Sequence, residues 1–169
     1  MEQLLVGLRV RGIALDGPEG VPLVVLEDRL RGRQVALPAS PFEASAIIME
    51  LEGITPPRPL THDLLAELFV EGGLVLDGVL LYGGSGGGSS VRARLDYRKG
   101  PRRLEREARP ADAIALAIRL GATIAAEPGL LEPSPPEALA PGRAEAGGEG
   151  RRRSRILLFD EWRERAVGA

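Results

Sequence analysis

Two short segments of this chain, 69 residues apart, constrain its fold more than any other feature. Pro41-Phe42-Glu43-Ala44-Ser45-Ala46-Ile47 aligns with Pro110-Ala111-Asp112-Ala113-Ile114-Ala115-Leu116. In each, proline stands where a helix would begin, and an acid follows two residues later beside the positive end of the helix dipole. Each also follows three strand-like runs: Leu4 to Leu15, Val21 to Glu27 and Arg33 to Leu37, then Leu74 to Tyr82, Val91 to Arg98 and Arg102 to Ala108. The expected fold is α+β, a mixed or antiparallel sheet with helices packed on it. A duplicated βββα unit is one way to build it. Prolines and acids favour helix starts in any protein, so the match alone leaves duplication open. A duplication would set Glu43 and Asp112 at equivalent places.

Local patterns fill in this plan. Leu23-Val24-Val25-Leu26 suits burial on both faces. Val91, Ala93, Leu95 and Tyr97 alternate with Arg92, Arg94, Asp96 and Arg98, which gives one core face and one basic, wet face. The helix from Phe42 to Leu51 places Phe42, Ala46 and Met49 on one side and ends at Gly53. Between the halves, Pro56-Pro57-Arg58-Pro59 holds the backbone extended. Thr61 is the expected cap of the helix that follows, with Asp63 in its first turn and Leu64, Leu65, Leu68 and Phe69 as its apolar stripe. His62, the one histidine of the chain, then sits on a first turn behind a rigid approach. Residues 83–90 are all glycine and serine and read as a hairpin tip, because no Gly-Lys-Ser/Thr follows them.

Composition sets limits on function. With 169 residues and 44% hydrophobic content, one core is expected, here over residues 1–131. Residues 132–155 are rich in Pro, Gly and Arg and read as a disordered linker. Residues 156–169 read as a short C-terminal helix or a frayed tail. The absence of cysteine excludes disulfides, thiolate metal sites and a cysteine nucleophile. Neither a signal peptide nor a bilayer-spanning apolar run is found, so a cytoplasmic protein with no membrane partner is expected. The net charge of −2 gives no global pull on a polyanion. From Arg92 to Arg109, however, eight basic residues face three acids.

The polar residues at constrained positions are Glu43, Arg58, Thr61, His62, Asp63, Arg109 and Asp112. Three carboxylates and one imidazole could hold a divalent metal, magnesium or manganese, and activate water. Histidine titrates near ~6.5 when unperturbed and can move protons at neutral pH. Arginines clamp phosphodiesters through paired hydrogen bonds. The same residues could instead form a structural ion-pair network, for example Arg109 with Asp63. Acids at helix N-termini also stabilise those helices without any chemistry.

Arg58-Pro59-Leu60-Thr61-His62-Asp63-Leu64 resembles the Arg-Pro-x-Thr-His-Asp-Leu motif of the bifunctional nuclease domain family. Residues 107–117, from Glu107 through Arg109-Pro110-Ala111-Asp112 to Ala117, resemble that family's Asp-Ala-Arg-Pro-Ser-Asp-Ala-Ile-Ala-Leu-Ala. Leu37-Pro38 followed by Glu43-Ala44 resembles a third pattern, with Ala39 and Ser40 departing from it. Ala111 stands in place of serine, and Glu107 in place of aspartate. The resemblance spans roughly residues 4–131. It implies an α+β domain and a nuclease acting on DNA and RNA. Within that reading, residue chemistry assigns catalysis to His62, Asp63, Asp112 and Glu43, and metal to Glu43, Asp63 and Asp112. Arg58, Thr61, Arg109, Arg92 and Arg94 would bind substrate. Nucleic acid is the expected partner, and a homo-oligomer is left open. The competing reading is a non-catalytic binding or assembly module of the same fold.

Overall fold

Residues 4–28, 30–83, 91–133 and 156–157 of the chain are described in this computed structural model. The strands are β1 (Val6–Asp16), β2 (Val21–Asp28), β3 (Arg33–Pro38), β4 (Leu74–Gly83), β5 (Val91–Lys99), β6 (Arg102–Ala108), β7 (Thr123–Ala126), β8 (Glu132–Pro133) and β9 (Ile156–Leu157). The helices are α1 (Pro41–Leu51), α2 (Thr61–Glu71) and α3 (Pro110–Leu120), with a 3-10 turn at Pro128–Leu130. β1–β2–β3 is one antiparallel meander, and β4–β5–β6 is another. β7 joins them, antiparallel to β1 and parallel to β4. The sheet order is β6-β5-β4-β7-β1-β2-β3-β8, with β9 added to β1. The α+β, mixed-sheet expectation holds.

The core lies between the sheet and the helices. Cross-strand partners Val24 and Leu37, Leu26 and Val35, Val79 and Leu95, and Leu81 and Ala93 belong to it. α3 is the central helix. It packs on β4 and β5, with α1 on one side and α2 on the other. Ala111, Ala113, Ala115 and Ala117 are all buried, and side chains this small let its neighbours approach closely. Gly121 ends α3 at φ 64°, a left-handed conformation that glycine adopts without strain.

Two bulges shape the sheet. In β1 the register shifts between Val10 and Gly12, so Arg11 is an extra residue. The shift lets both Arg9 and Arg11 reach Glu27, Arg11 at 3.0 Å. In β4 the register shifts between Leu76 and Gly78.

Several expectations change. Phe42, grouped with Ala46 and Met49 on one side of α1, is exposed whereas Ala46 is buried, because Ala44, Ile47 and Ile48 form the inward arc and Phe42 lies about half a turn from its middle. Leu64, Leu65 and Leu68 of α2 are exposed as well, and from its stripe only Phe69 packs on the core. Val24, Val25 and Leu26 are buried on both faces of β2 as expected. Of the expected linker 132–155, Glu132–Pro133 form β8 on Arg33 and Gln34 of β3, and residues 134–155 lie outside the described residues. Of residues 156–169, expected as a short helix or a frayed tail, Ile156–Leu157 form β9, pairing Ala14 and Ile13. β7 pairs β1 only at Val6–Leu8, so the later part of that edge has backbone groups for β9 to satisfy. Residues 84–90 of the glycine-serine tip and residues 158–169 are also outside the described residues. No helix among the described residues is long and apolar enough to cross a membrane.

Candidate active site

Each of the three helices carries an acid at its third residue: Glu43 in α1, Asp63 in α2 and Asp112 in α3. That position lies in the positive field of the helix start and within reach of the cap backbone. Glu43 bends back so that Oε2 accepts from the Ser40 backbone N–H at 2.6 Å, while Ser40 Oγ accepts from Glu43 N at 3.3 Å. Asp63 does the same, with Oδ2 accepting from Leu60 N–H at 2.8 Å. The cap of α2 is therefore Leu60. Thr61, expected there, is the first helical residue and is exposed. Its hydroxyl is not needed because Asp63 serves the cap.

Asp112 makes no such bond to its own cap. Its Oδ1 meets His62 Nε2 at 3.0 Å, and its Oδ2 accepts from Arg109 Nε at 2.8 Å and Nη2 at 2.7 Å. Arg109 Nη2 also reaches Glu43 Oε1 at 3.3 Å. One chain of polar contacts thus runs His62, Asp112, Arg109, Glu43 across the first turns of all three helices. The Arg109 guanidinium, beside Asp112 and Glu43, is held above its usual arginine value, first by the Asp112 hydrogen bond and then by the two charges. Glu43 and Arg109 line an open cleft of about 450 Å³ with Leu37, Pro38, Ala39, Ser40, Val91, Pro110 and Ala111. His62 is not one of the cleft-lining residues, and its side chain is only 12% exposed.

Asp63 points elsewhere. Its Oδ1 accepts from Arg119 Nε at 2.6 Å. Arg119 is 5% exposed and also donates to Ala115 O and Ala46 O, both at 2.9 Å. It therefore ties α1, α2 and α3 together. Burial pushes the Asp63 carboxyl up, but the Arg119 and Leu60 hydrogen bonds, with the charges of Arg119 and His62, hold it below the ordinary carboxylate range. The sequence-level pairing of Arg109 with Asp63 is thus replaced by two separate pairs. Arg119 was missed by sequence reasoning. Its signal was a lone charge inside the apolar run from Ile114 to Leu120.

The remaining candidates are dispersed. Arg58 is exposed on the approach to α2 and has no ion-pair partner among the described residues. Arg92 and Arg94 lie on β5, where Arg92 is 4.0 Å from Glu107 and Arg94 meets Asp96 at 2.7 Å and Glu105 at 3.8 Å. Arg98 meets Asp77 at 2.9 Å.

The family comparison follows the same residues. The bifunctional nuclease domain description matches residues 24–136, which hold all three helices and every residue of the cleft. The chain belongs to the bifunctional nuclease domain family. Two of its relatives are the uncharacterized proteins MT1877 and Rv1829 of Mycobacterium tuberculosis, from strains CDC 1551 / Oshkosh and ATCC 25618 / H37Rv. Each is 33% identical over 124 residues, which cover 73% of this chain and 73% of the relative.

In this bifunctional nuclease domain the expected metal set does not assemble. Asp63 is turned to Arg119, the Glu43 oxygens face Arg109 and the Ser40 backbone, and the Asp112 oxygens face His62 and Arg109. Among the described residues no group of three His, Asp or Glu side chains is placed to hold a metal ion. As arranged, these donors do not fit the magnesium or manganese expected from the sequence.

Proposed function

We propose that this chain is a nuclease that hydrolyses phosphodiester bonds of DNA and RNA. One observation carries the reading: Asp112, alone of the three helix-start acids, is withdrawn from capping and spent on His62 and Arg109 beside an open cleft. DNA has no 2′-hydroxyl, so a common mechanism for both polymers uses water as the nucleophile. Asp112 accepts from His62 Nε2–H and so fixes the tautomer in which Nδ1 is free to take a proton from that water. The water oxygen bonds to phosphorus, the P–O ester bond breaks, and the proton passes from His62 to the departing oxygen. Arg109, with a 75% exposed side chain, is the cation at the cleft and pairs with a substrate phosphate. Phosphate competes for that guanidinium with Asp112 and Glu43, which couples substrate binding to the His62–Asp112 pair. Arg58 and Thr61, exposed beside the His62 turn, add phosphate contacts.

The test uses purified chain with single-stranded DNA and RNA, with magnesium, with manganese and with chelator. His62→Ala should lower cleavage by about 10²–10⁴-fold, the usual contribution of general acid–base catalysis, with little change in melting temperature. Retained cleavage by the folded variant removes His62 from the mechanism.

The second reading, a non-catalytic binding or assembly module, is favoured by one specific feature. Arginines close off all three acids, Arg109 on Glu43 and Asp112 and Arg119 on Asp63. No cleavage by the wild type in any of the three conditions, with a clear loss of stability in His62→Ala, would support it.

A further inference from the structure

The three helices are not equally used by the fold. α1 and α3 each bury at least five residues, whereas α2 buries none of its eleven. Ala66 and Phe69 hold α2 to the core, with the Phe69 and Tyr97 rings 5.7 Å apart. Leu64, Leu65, Leu68 and Val70 remain 51%, 40%, 54% and 67% exposed. An apolar patch of this kind, rimmed by polar residues, marks an interaction surface. Its rim is acidic. Glu67 and Glu71 have no ion-pair partner among the described residues, and α2 has no basic residue in its last turn.

The complementary charge lies next to it. Among the described residues β6 is an edge strand, paired with β5 alone. Leu104 is the cross-strand partner of Tyr97, and Arg106 that of Leu95, so Arg102, Leu104 and Arg106 share the helix side of the sheet. None of the three helices makes more than marginal contact with β6. Lys99, Arg102 and Arg106 have no carboxylate partner among the described residues. Tyr97 touches Phe69 of α2 and pairs with Leu104 of β6, so the open helix stripe and the bare strand face border one trough. Leu65, four residues before Phe69, lies beside it on the helix surface.

We propose that this trough is the interface of a homodimer in which α2 of each copy lies across β6 of the other. The surface is self-complementary, as a two-fold interface requires, because the acidic helix and the basic strand are neighbours on one molecule. Rotation about the two-fold sets Glu67 and Glu71 against Arg102 and Arg106 of the partner subunit, and Leu64, Leu65 and Leu68 pass from water into the contact. α2 also carries His62, so the second copy steadies the turn that meets Asp112. The inference rests on this surface alone and stands whether or not the chain is a nuclease.

Sedimentation velocity of the full chain over a wide concentration range tests it. The expected result is a dimer of the 18.0 kDa chain that dissociates on dilution. Leu64→Glu with Leu68→Glu should raise the dissociation constant at least ~100-fold without altering the fold by circular dichroism, since both side chains are already exposed in one copy. Glu67→Arg with Glu71→Arg, and separately Arg102→Glu with Arg106→Glu, should each weaken self-association by roughly tenfold or more. Mixing these two variants should restore a dimer. A wild type that is monomeric at every concentration overturns the proposal and leaves residues 158–169, with Leu158, Phe159 and Trp162, as the remaining cover for α2. A dimer indifferent to the leucine and charge changes overturns it too, as does a mixture that fails to restore the dimer.

Discussion

Asp63 and Asp112 occupy the same position in their helices and do different work. Asp63 caps α2 and neutralises a buried arginine, and its carboxyl is held below the ordinary range. Its stabilising effect is therefore fully present above the unfolded carboxylate value and is lost as pH falls through the lower folded value. Asp63→Asn should cost about 3 kcal/mol near neutral pH, because it leaves the buried Arg119 charge with only the more distant, half-exposed Glu50 carboxylate at 4.0 Å. In strong acid the difference from wild type should shrink toward zero. Melting temperatures from neutral to low pH check this, and parallel curves for the two proteins would refute it. At Asp112 the same change should leave the α3 cap alone and act on the His62 contact, so Asp112→Asn is expected to reduce cleavage more than stability.

The bulge of β4 shows how closely one element fits another. Gly78 follows the bulge and pairs with Thr123 of β7. A Cβ at Gly78 would come 2.8 Å from Thr123 Oγ1 and 3.3 Å from Thr123 O. Gly78→Ala should cost about 1–3 kcal/mol by overpacking. Adding Thr123→Ala removes the nearest atom, so the double variant should lose less than the sum of the singles in urea denaturation. Strict additivity would show that the crowding is not the cause. At this scale most of the fold was legible. Alternation in β5 and the proline starts of α1 and α3 gave the elements and their order. Periodicity grouped Phe42 with Ala46 and Leu64 with Phe69, but did not say which arc of a helix finds a partner. The cap of α2 was misread because Asp63, not Thr61, reaches the cap backbone. The motifs named Glu43, His62, Arg109 and Asp112 as candidates, but not that they form one chain of contacts. The diversion of Asp63 was not visible in them, because its partner Arg119 lies 56 residues away in sequence.

Across the whole molecule, charge is distributed more evenly than a count of arginines along β5 suggests. Arg92, Arg94 and Arg98 each have a carboxylate within 4.0 Å, from Glu107, Asp96 or Asp77. A phosphate would have to displace those partners. Binding of single-stranded DNA should weaken with salt by about 0.7 log units per log salt for each phosphate neutralised. Replacing Arg92, Arg94 and Arg98 together by Gln should leave that slope parallel to wild type. A slope flatter by roughly two units would instead show that the row holds phosphates.

β8 pairs with β3 and β9 pairs with β1, so residues 134–155 are anchored in one sheet at both ends. Pro133 and Ile156 are therefore joined through the sheet as well as through the chain, and β9 stands beside β1 in the middle of the sheet rather than at its border. The entropy of closing a ring grows only with the logarithm of its length. Doubling the number of residues between Pro133 and Ile156 should therefore cost only about 0.6 kcal/mol. An insertion that costs so little makes the connection between Pro133 and Ile156 a natural point for splicing in another folded unit without disturbing the cleft.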